Sequence, residues 1–316
     1  MNITTIINLM IFSVTIFLNI NCISLYKYYP VNGYIAMLFT QFIFDSIFAS
    51  LSLIARIELI ILDKYFVINL VYSYMYDLSY NGCMYMTLAW YITCYANIGL
   101  IAIILVMRYF QIVKSKNMKF KHYICGCIAT LMFPIIININ LYLAFDRSLP
   151  LDIAYQLKMN GTYENDLITT KTKSLAMIMH AWKFYNILFG YMTYLFINYG
   201  IVIFTYITFT RFMKENQSSM SSLTRQINIE FNRILLIQCG SPLLVGLPLV
   251  IYIITLFTDA TWTDGGTVII TILTATPILN SAAFLCFSSK NRTILKTRFA
   301  NMVNTFNVEC YKCKDN

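Results

Sequence analysis

The sequence has few charged residues, and this shortage excludes an ordinary soluble domain. Charged residues make up 12% and hydrophobic residues 59% of the 316 residues, whereas about a quarter of a soluble domain is charged. Glycine-rich phosphate loops and paired carboxylates within the apolar runs are also missing. The two histidines, His122 and His180, fall in segments predicted on opposite sides of a membrane, where they cannot share a metal. We therefore expect a membrane protein that is not an enzyme and needs no metal or cofactor.

Seven long apolar runs stand between the few charges. Backbone groups in lipid must pair internally, so each run is predicted to be a transmembrane helix of about 20 residues. The predicted spans are Ile3–Tyr26, Tyr34–Ile57, Met84–Met107, Tyr123–Phe145, Phe184–Thr210, Ile234–Phe257 and Thr267–Phe287. Charged residues interrupt Glu58–Tyr80, so that stretch is predicted to be a long interfacial loop rather than an eighth span. The expected fold is an all-α bundle of seven transmembrane helices over residues 1–288, with a short basic tail at 289–316.

The distribution of Lys and Arg predicts the orientation of the bundle. With the N-terminus outside the cell, the cytoplasmic side receives the main groups of cations. These are Lys27, Arg108, Lys114, Lys116, Lys119, Lys121, Arg211, Lys214, Arg225, Arg233 and the Lys and Arg of the tail. Asn2 and Asn160 begin glycosylation sequons on the predicted outer side, which agrees with this orientation. The net charge of +9 is thus explained by topology, and the expected partner is membrane lipid rather than nucleic acid.

Asp45 is the one ionisable residue in the central part of a predicted span. A carboxylate at mid-membrane costs a few kcal/mol, so its side chain is predicted to face the bundle interior. Two interpretations remain open. Asp45 is either a polar hub that helps to switch the bundle, or a structural hydrogen-bond partner of Asn19, Asn21 or Asn280. Since pores and ion-coupled transporters usually carry several such groups, the sequence favours a protein that changes shape.

The third predicted span ends in Arg108 and Tyr109, and Cys83 lies 25 residues before Arg108. An arginine at a helix end can simply extend to the interface. Together with seven spans and an outer N-terminus, however, these residues resemble the rhodopsin-like G-protein-coupled receptors, whose third helix ends in an acid-Arg-Tyr triplet. The resemblance implies that Arg108 and Tyr109 contact a heterotrimeric G protein. Met107 stands in place of the acid, so the inactive state must be held differently.

Other spans carry parts of the same resemblance. Asn280, Ser281 and Phe284 are similar to the Asn-Pro-x-x-Tyr motif, which a short amphipathic helix follows in that family. Pro242 lies in a segment similar to Cys-Trp-x-Pro, and Asp45 matches the acidic position of the second helix. The resemblance implies that Asp45, Asn280, Phe284 and Pro242 form the polar core that switches. The outer-loop cysteine, the fourth-helix tryptophan, the fifth-helix proline and a lysine for retinal are all missing.

Eroded motifs, a high content of Tyr, Phe, Ile and Asn, and an almost absent tail are similar to the nematode serpentine chemoreceptors of the Srg/Srv type. That resemblance implies a receptor that detects a small molecule at the plasma membrane of sensory cells, including their cilia. Two alternatives remain open: a receptor for an internal ligand such as a peptide, and a transporter or channel subunit.

Aromatic residues near the predicted outer ends of the third and fifth spans suggest a ligand pocket. The candidates are Trp90, Tyr91, His180, Trp182 and Tyr185. Such residues can line a pocket, but Trp and Tyr also anchor helices at membrane interfaces, and both interpretations stay open. With few charges in the outer halves of the spans, we expect a neutral or weakly polar ligand.

Overall fold

The computed structural model describes residues 3–30, 32–62, 65–70, 78–145, 174–179, 181–216 and 265–312, together with individual residues between 218 and 240. The helices of these segments are α1 (Ile3–Ser24), α2 (Gly33–Ala55), α3 (Tyr80–Ile112), α4 (Phe120–Ala144), α5 (Trp182–Glu215), α6 (Gly265–Phe287) and α7 (Ser289–Lys312). A 3₁₀ turn at Tyr26–Tyr28 follows α1. The strands are β1 (Ile57–Leu62), β2 (Tyr65–Leu70) and β3 (Ser174–Ile178).

Six helices in the described part of the chain, α1 to α6, are long and apolar enough to cross a membrane. They correspond to the first five predicted spans and the seventh. The predicted sixth span, Ile234–Phe257, lies mostly outside the described residues, and those described between 222 and 240 are helical. Helices α3 and α5, with 33 and 34 residues, extend beyond their predicted ends, since the apolar run marks only the part of a helix that matches the lipid.

Helix α3 is the central helix of the bundle, and it packs against α2, α4 and α5. In its most apolar window 67% of the residues are buried, compared with 17% in α1. Helix α1 packs on α2 and α6 and leaves large apolar side chains such as Met10 and Phe17 exposed. In a membrane protein such a face is expected to contact lipid.

Short polar residues mark the beginnings of two helices. The Asn32 side-chain oxygen accepts a hydrogen bond from the backbone N–H of Ile35 at the start of α2 (2.8 Å), and the Ser79 hydroxyl accepts one from Gly82 at the start of α3 (3.1 Å). Each satisfies a backbone donor that the first helical turn leaves unpaired. Helix α2 ends at Ala55, and the left-handed backbone of the next residue, Arg56 (φ 31°), turns the chain into β1.

The three strands form an antiparallel sheet in the order β1-β2-β3. Ile57 is opposite Leu70 in the first pair of strands, and Phe66 is opposite Met177 in the second. The prediction of a loop over Glu58–Tyr80 is therefore wrong for β1 and β2. Each is a six-residue run of mostly apolar and β-branched residues, of a kind that suits a strand. Their pairing with β3, from a distant connection, could not be read from that stretch alone.

The sheet lies across one end of the helix bundle, here called the sheet end. Asn8 of α1 and Thr267 of α6 share a small pocket there with Arg56 and Glu58, so the start of α1 is also at this end. The opposite end, here called the arginine end, holds Arg108. At that end the backbone N–H of Gly33 donates to the carbonyl of Met118 (2.8 Å), which ties the start of α2 to the chain that follows α3.

Helix α7 confirms the prediction of a helix after the seventh span, but it is longer than expected at 24 residues. Two cations attach it to the last residue of α1 and to the 3₁₀ turn that follows. Arg298 donates to the carbonyl of Ser24 (3.0 Å), and Lys290 donates to the carbonyl of Tyr28 (2.6 Å). The predicted basic tail at 289–316 therefore consists largely of a helix held against the arginine end.

Candidate ligand cavity and coupling end

A cavity of about 140 Å³ lies between α2, α3, α5 and α6, directly beneath the sheet. Each strand contributes one residue to its roof: Leu59, Phe66 and Met177. Phe66 and Met177 are opposite each other in neighbouring strands, so their side chains are on the same face of the sheet. The roof also rests on α6, where a β-carbon at Gly266 would come within 2.2 Å of the Leu59 carbonyl oxygen. The sheet therefore closes the cavity at this end.

Stacked tyrosines from α3 and α5 form one wall of the cavity. The ring centroids of Tyr95 and Tyr191 are 4.1 Å apart with an interplanar angle of 13°, and Tyr91 stacks on Tyr191 at 5.7 Å. The hydroxyl of Tyr194 donates a hydrogen bond to the backbone carbonyl of Tyr95 (3.0 Å). Aromatic pairs of this kind stabilise the fold beyond the burial of their apolar surface, so the stack holds α3 and α5 together. The faces of these rings line the cavity.

Trp90, a predicted pocket residue, is part of the cavity wall and is only 1% exposed. Its indole N–H donates to the hydroxyl of Ser52 (2.8 Å), and its ring packs on Phe48 at 5.3 Å between centroids. Because the ring is buried between helices and its N–H is paired inside the protein, it does not have the position of an interfacial anchor.

Only some of the other predicted pocket residues line the cavity. Tyr91 lines the cavity beside Trp90. Trp182 and Tyr185, at the start of α5, are 69% and 40% exposed and are not among the residues that line the cavity. His180 lies outside the described residues.

The floor of the cavity is polar and includes Asp45, Asn97 and Asn280. The fully buried carboxylate of Asp45 accepts hydrogen bonds from the amides of Gln41 and Asn280, both at 3.4 Å. Asn280 was one of the partners considered for Asp45 from the sequence. Asn19, another of those partners, instead donates to the Ser46 hydroxyl (3.0 Å) and accepts a hydrogen bond from Ser281.

Phe284 lies on the arginine-end side of this floor in a cluster of aromatic rings. Its ring centroid is 5.1 Å from that of Phe42 and 5.9 Å from that of Phe39. Its backbone carbonyl accepts a hydrogen bond from the fully buried Asn291 at the start of α7 (3.0 Å). The remaining predicted positions, Pro242, Asn2 and Asn160, lie outside the described residues.

Arg108 contacts a side-chain amide and an aromatic ring. Its Nη2 donates to the side-chain oxygen of Asn228 at 3.4 Å, and its guanidinium lies 5.3 Å from the centre of the Tyr34 ring. Cations in this position are attracted by the ring face. Met107, the residue before Arg108, is buried in the core. Tyr109 is half-buried and packs on Phe110.

Exposed lysines lie in the chain that follows Arg108 at the arginine end, from just after the end of α3 to the first turn of α4. They are Lys114, Lys116, Lys119 and Lys121. The arginine end is therefore a cationic surface, whereas apolar and aromatic residues make up most of the cavity beneath the sheet. Among the described residues, no group of three His, Cys, Asp or Glu side chains could hold a metal ion.

Several cavity residues were missed in the sequence, namely Phe66, Tyr95, Asn97, Met177 and Tyr191. One signal was available for Tyr95, because residues four apart on a helix share a face and Tyr91 was already a candidate. Phe66 and Met177 reach the cavity only through pairing of distant strands, and no local pattern indicates that pairing.

Comparison with known proteins agrees with this architecture. The structure resembles the crystal structure of squid rhodopsin with a TM-score of 0.63 at 12% sequence identity, and the match covers 95% of this chain and 85% of that chain. No protein-family profile matches the sequence, and no curated protein matches it. The chain therefore has a rhodopsin-like fold of membrane-length helices.

Proposed function

We propose that this protein is a G-protein-coupled receptor that detects a small neutral molecule and is not an enzyme. The observation that carries the proposal is the course of α3. This helix contributes Trp90, Tyr91 and Asn97 to the cavity beneath the sheet and carries Arg108, about one turn before its end at Ile112, at the cationic arginine end. A ligand in the cavity and a protein at the arginine end would thus both contact the same buried helix.

The route between the two ends includes groups that can rearrange. Asp45 and Asn280 link α2 to α6 at the cavity floor, and Pro277 interrupts α6 one turn earlier while also lining the cavity. A proline in a membrane helix removes a backbone hydrogen bond and allows a bend. A ligand shifts such an equilibrium only by its difference in affinity for the two arrangements. We propose Asp45, Asn280 and Phe284 as the residues whose contacts change.

At the arginine end, we propose that Arg108 and Tyr109 contact the α-subunit of a heterotrimeric G protein. The exposed lysines that follow α3 give this end a positive charge that would attract an acidic partner. The contacts of Arg108 with Asn228 and Tyr34 would have to open before the guanidinium could reach that partner.

A small ligand is favoured over a peptide by the size of the cavity and by its roof. The volume of about 140 Å³ is below the range of about 300–1,000 Å³ for drug-sized ligands. A transporter is disfavoured because Asp45 is the one ionisable carboxylate among the described lining residues, whereas ion-coupled carriers usually use several.

The chemosensory role is the finer part of the proposal and rests on the resemblance to nematode serpentine receptors. The expected location is the plasma membrane of sensory cells, including their cilia. A fluorescently tagged copy expressed in the animal should concentrate at ciliated sensory endings. Signal confined to internal tissue would support an internal ligand instead.

The coupling role is tested with Arg108→Ala in cells that report G-protein dissociation. We expect surface amounts near those of the original protein and at least a tenfold loss of basal and stimulated signal, since each 1.4 kcal/mol of lost contact energy is tenfold. Lys114→Ala, which removes a neighbouring exposed cation, should retain most of the signal. Normal signalling by Arg108→Ala at the surface would disprove this role.

A further inference from the structure

Asn97 has an unusual position for a carboxamide inside a membrane protein. It lines the cavity and is 8% exposed, and neither its oxygen nor its nitrogen has a hydrogen-bond partner among the described residues. A buried polar group without a partner is costly, and in the lipid interior no bulk water can reach it. Both atoms have almost no accessible surface, so the carboxamide has to rotate toward the cavity before a partner from outside the chain, held there, can satisfy both atoms.

The volume of the cavity limits the size of that partner. An engineered cavity of about 150 Å³ in another protein holds benzene, and the cavity here measures about 140 Å³. The walls carry the stacked rings of Tyr91, Tyr95 and Tyr191 and the indole of Trp90. These faces suit a single flat ring with one small substituent.

The charges around the cavity limit the chemistry of that substituent. No Lys, Arg or His is present among the described residues that line it, so an anion would have no counter-charge. The carboxylate of Asp45 already accepts hydrogen bonds from Gln41 and Asn280. A neutral group that both donates and accepts hydrogen bonds, such as a hydroxyl or a primary amide, matches the two unpaired atoms of Asn97 once its side chain turns toward the cavity.

We propose that the cavity binds a small neutral aromatic molecule whose hydroxyl or amide group pairs with the carboxamide of Asn97. This inference rests on the proposed receptor function and names the ligand class of the same site. Asn97 then sets specificity, because a ligand that lacks the polar group leaves the buried carboxamide unpaired.

The test uses the full-length protein in lipid nanodiscs, with 4-fluorobenzyl alcohol as a probe whose bound ¹⁹F signal is measured directly. Benzyl alcohol, toluene and benzylamine, which share the ring, compete for the site, and empty nanodiscs correct for partition into lipid. We expect benzyl alcohol to displace the probe at about tenfold lower free concentration than toluene, as expected for a buried group left unpaired. Benzylamine should compete less well than benzyl alcohol.

Two variants test whether the side chain of Asn97 causes the preference for benzyl alcohol over toluene. Asn97→Leu should bind benzyl alcohol and toluene within about twofold of each other, since no polar group remains to distinguish them. Asn198→Leu is the matched control, because Asn198 is a buried asparagine of α5 that does not line the cavity and donates to the carbonyl of Tyr194 (2.8 Å). It should keep the original preference. If Asn97→Leu does not fold, Asn97→Ser, with a shorter polar group, should weaken benzyl alcohol and leave toluene unchanged.

Three results would overturn the inference. If toluene competes as well as benzyl alcohol in the original protein, the ligand has no polar contact with Asn97. If benzylamine competes better than benzyl alcohol, the site binds a cation through Asp45. A folded protein that binds no probe would remove the ligand class altogether. Such a protein could still lose its basal G-protein signal with Arg108→Ala, so failure of this inference is distinguishable from failure of the receptor function.

Discussion

The carboxylate of Glu230 joins two segments that are far apart in the sequence. It accepts hydrogen bonds from the backbone N–H and the hydroxyl of Ser289, both at 2.9 Å, at the first residue of α7. A third hydrogen bond comes from Gln226 (3.2 Å). Burial alone would raise the pKa of Glu230, but these hydrogen bonds and the nearby charge of Arg292 lower it below its ordinary value. A negative charge there also suits the start of a helix.

The lowered pKa predicts how the attachment of α7 depends on pH. A carboxylate with a depressed pKa stabilises the folded state above its ordinary pKa of about 4.3, and the effect disappears as pH falls through the depressed value. At pH near 6, hydrogen exchange in the first turn of α7 should be slower in the original protein than in Glu230→Gln, and near pH 3 the two should be equal. Glu215→Gln, exposed at the end of α5, is the control. Equal protection at pH near 6 would contradict the prediction.

The sequence predicted single residues best where burial is costly. An isolated Asp45 in an apolar run has to face the interior, and the structure places it at the cavity floor with Asn280. Asn97 gave no comparable signal, because asparagine is common in this chain and its importance comes from the lack of a partner. Which polar groups remain unpaired is decided by packing between helices and cannot be read from one segment.

At the scale of elements, the roof of the cavity depends on close contact between β1 and α6. A β-carbon added at Gly266 would lie 2.2 Å from the Leu59 carbonyl oxygen and 2.7 Å from the Leu59 β-carbon. Backbone atoms cannot move aside as the end of a flexible side chain can. The strand would have to shift away from the helix, and the roof residue Leu59 would shift with it.

Gly266→Ala is therefore expected to lower the stability of the folded protein by about 1–3 kcal/mol, as overpacking usually does. It should also weaken binding of any cavity ligand. Gly200→Ala provides the control, because nothing lies within 4 Å of a β-carbon at Gly200. That change should be neutral or stabilise α5 by up to about 1 kcal/mol, since alanine favours helix. Thermal unfolding of both variants in the same detergent checks the prediction, which fails if the two unfold at the same temperature.

Helices and strands differ in how much of them the sequence could predict. A membrane helix satisfies its own backbone, so a run such as Phe120–Ala144 indicates its structure without reference to the rest of the chain. The backbone hydrogen-bonding groups of a strand are paired only when another strand lies beside it. Ile57–Leu62 forms its hydrogen bonds with Tyr65–Leu70, and Tyr65–Leu70 also pairs with Ser174–Ile178, more than a hundred residues further along. The helices were therefore predictable, and the roof of the cavity was not.

At the scale of the whole molecule, the two ends of α3 are held by different chemistry. The sheet end is fixed by ring stacking and by the roof. At the arginine end, Arg108 donates a hydrogen bond of 3.4 Å to Asn228 and lies over the Tyr34 ring. A hydrogen bond of that length is weak, so we expect a small change in free energy to break this contact while the cavity wall stays packed.

Replacement of Asn228 tests whether this contact holds the receptor at rest. Loss of one hydrogen bond costs about 0.5–1.5 kcal/mol, so Asn228→Ala should raise ligand-independent G-protein signalling by about two- to tenfold. Gln226→Ala removes an amide from the same segment that contacts Glu230 rather than Arg108, and its basal signal should stay near that of the original protein. Signals are compared at equal surface amounts. Unchanged basal signalling in Asn228→Ala would mean that the Arg108–Asn228 contact does not hold the resting arrangement, and Tyr34→Leu would then test whether the ring alone is sufficient.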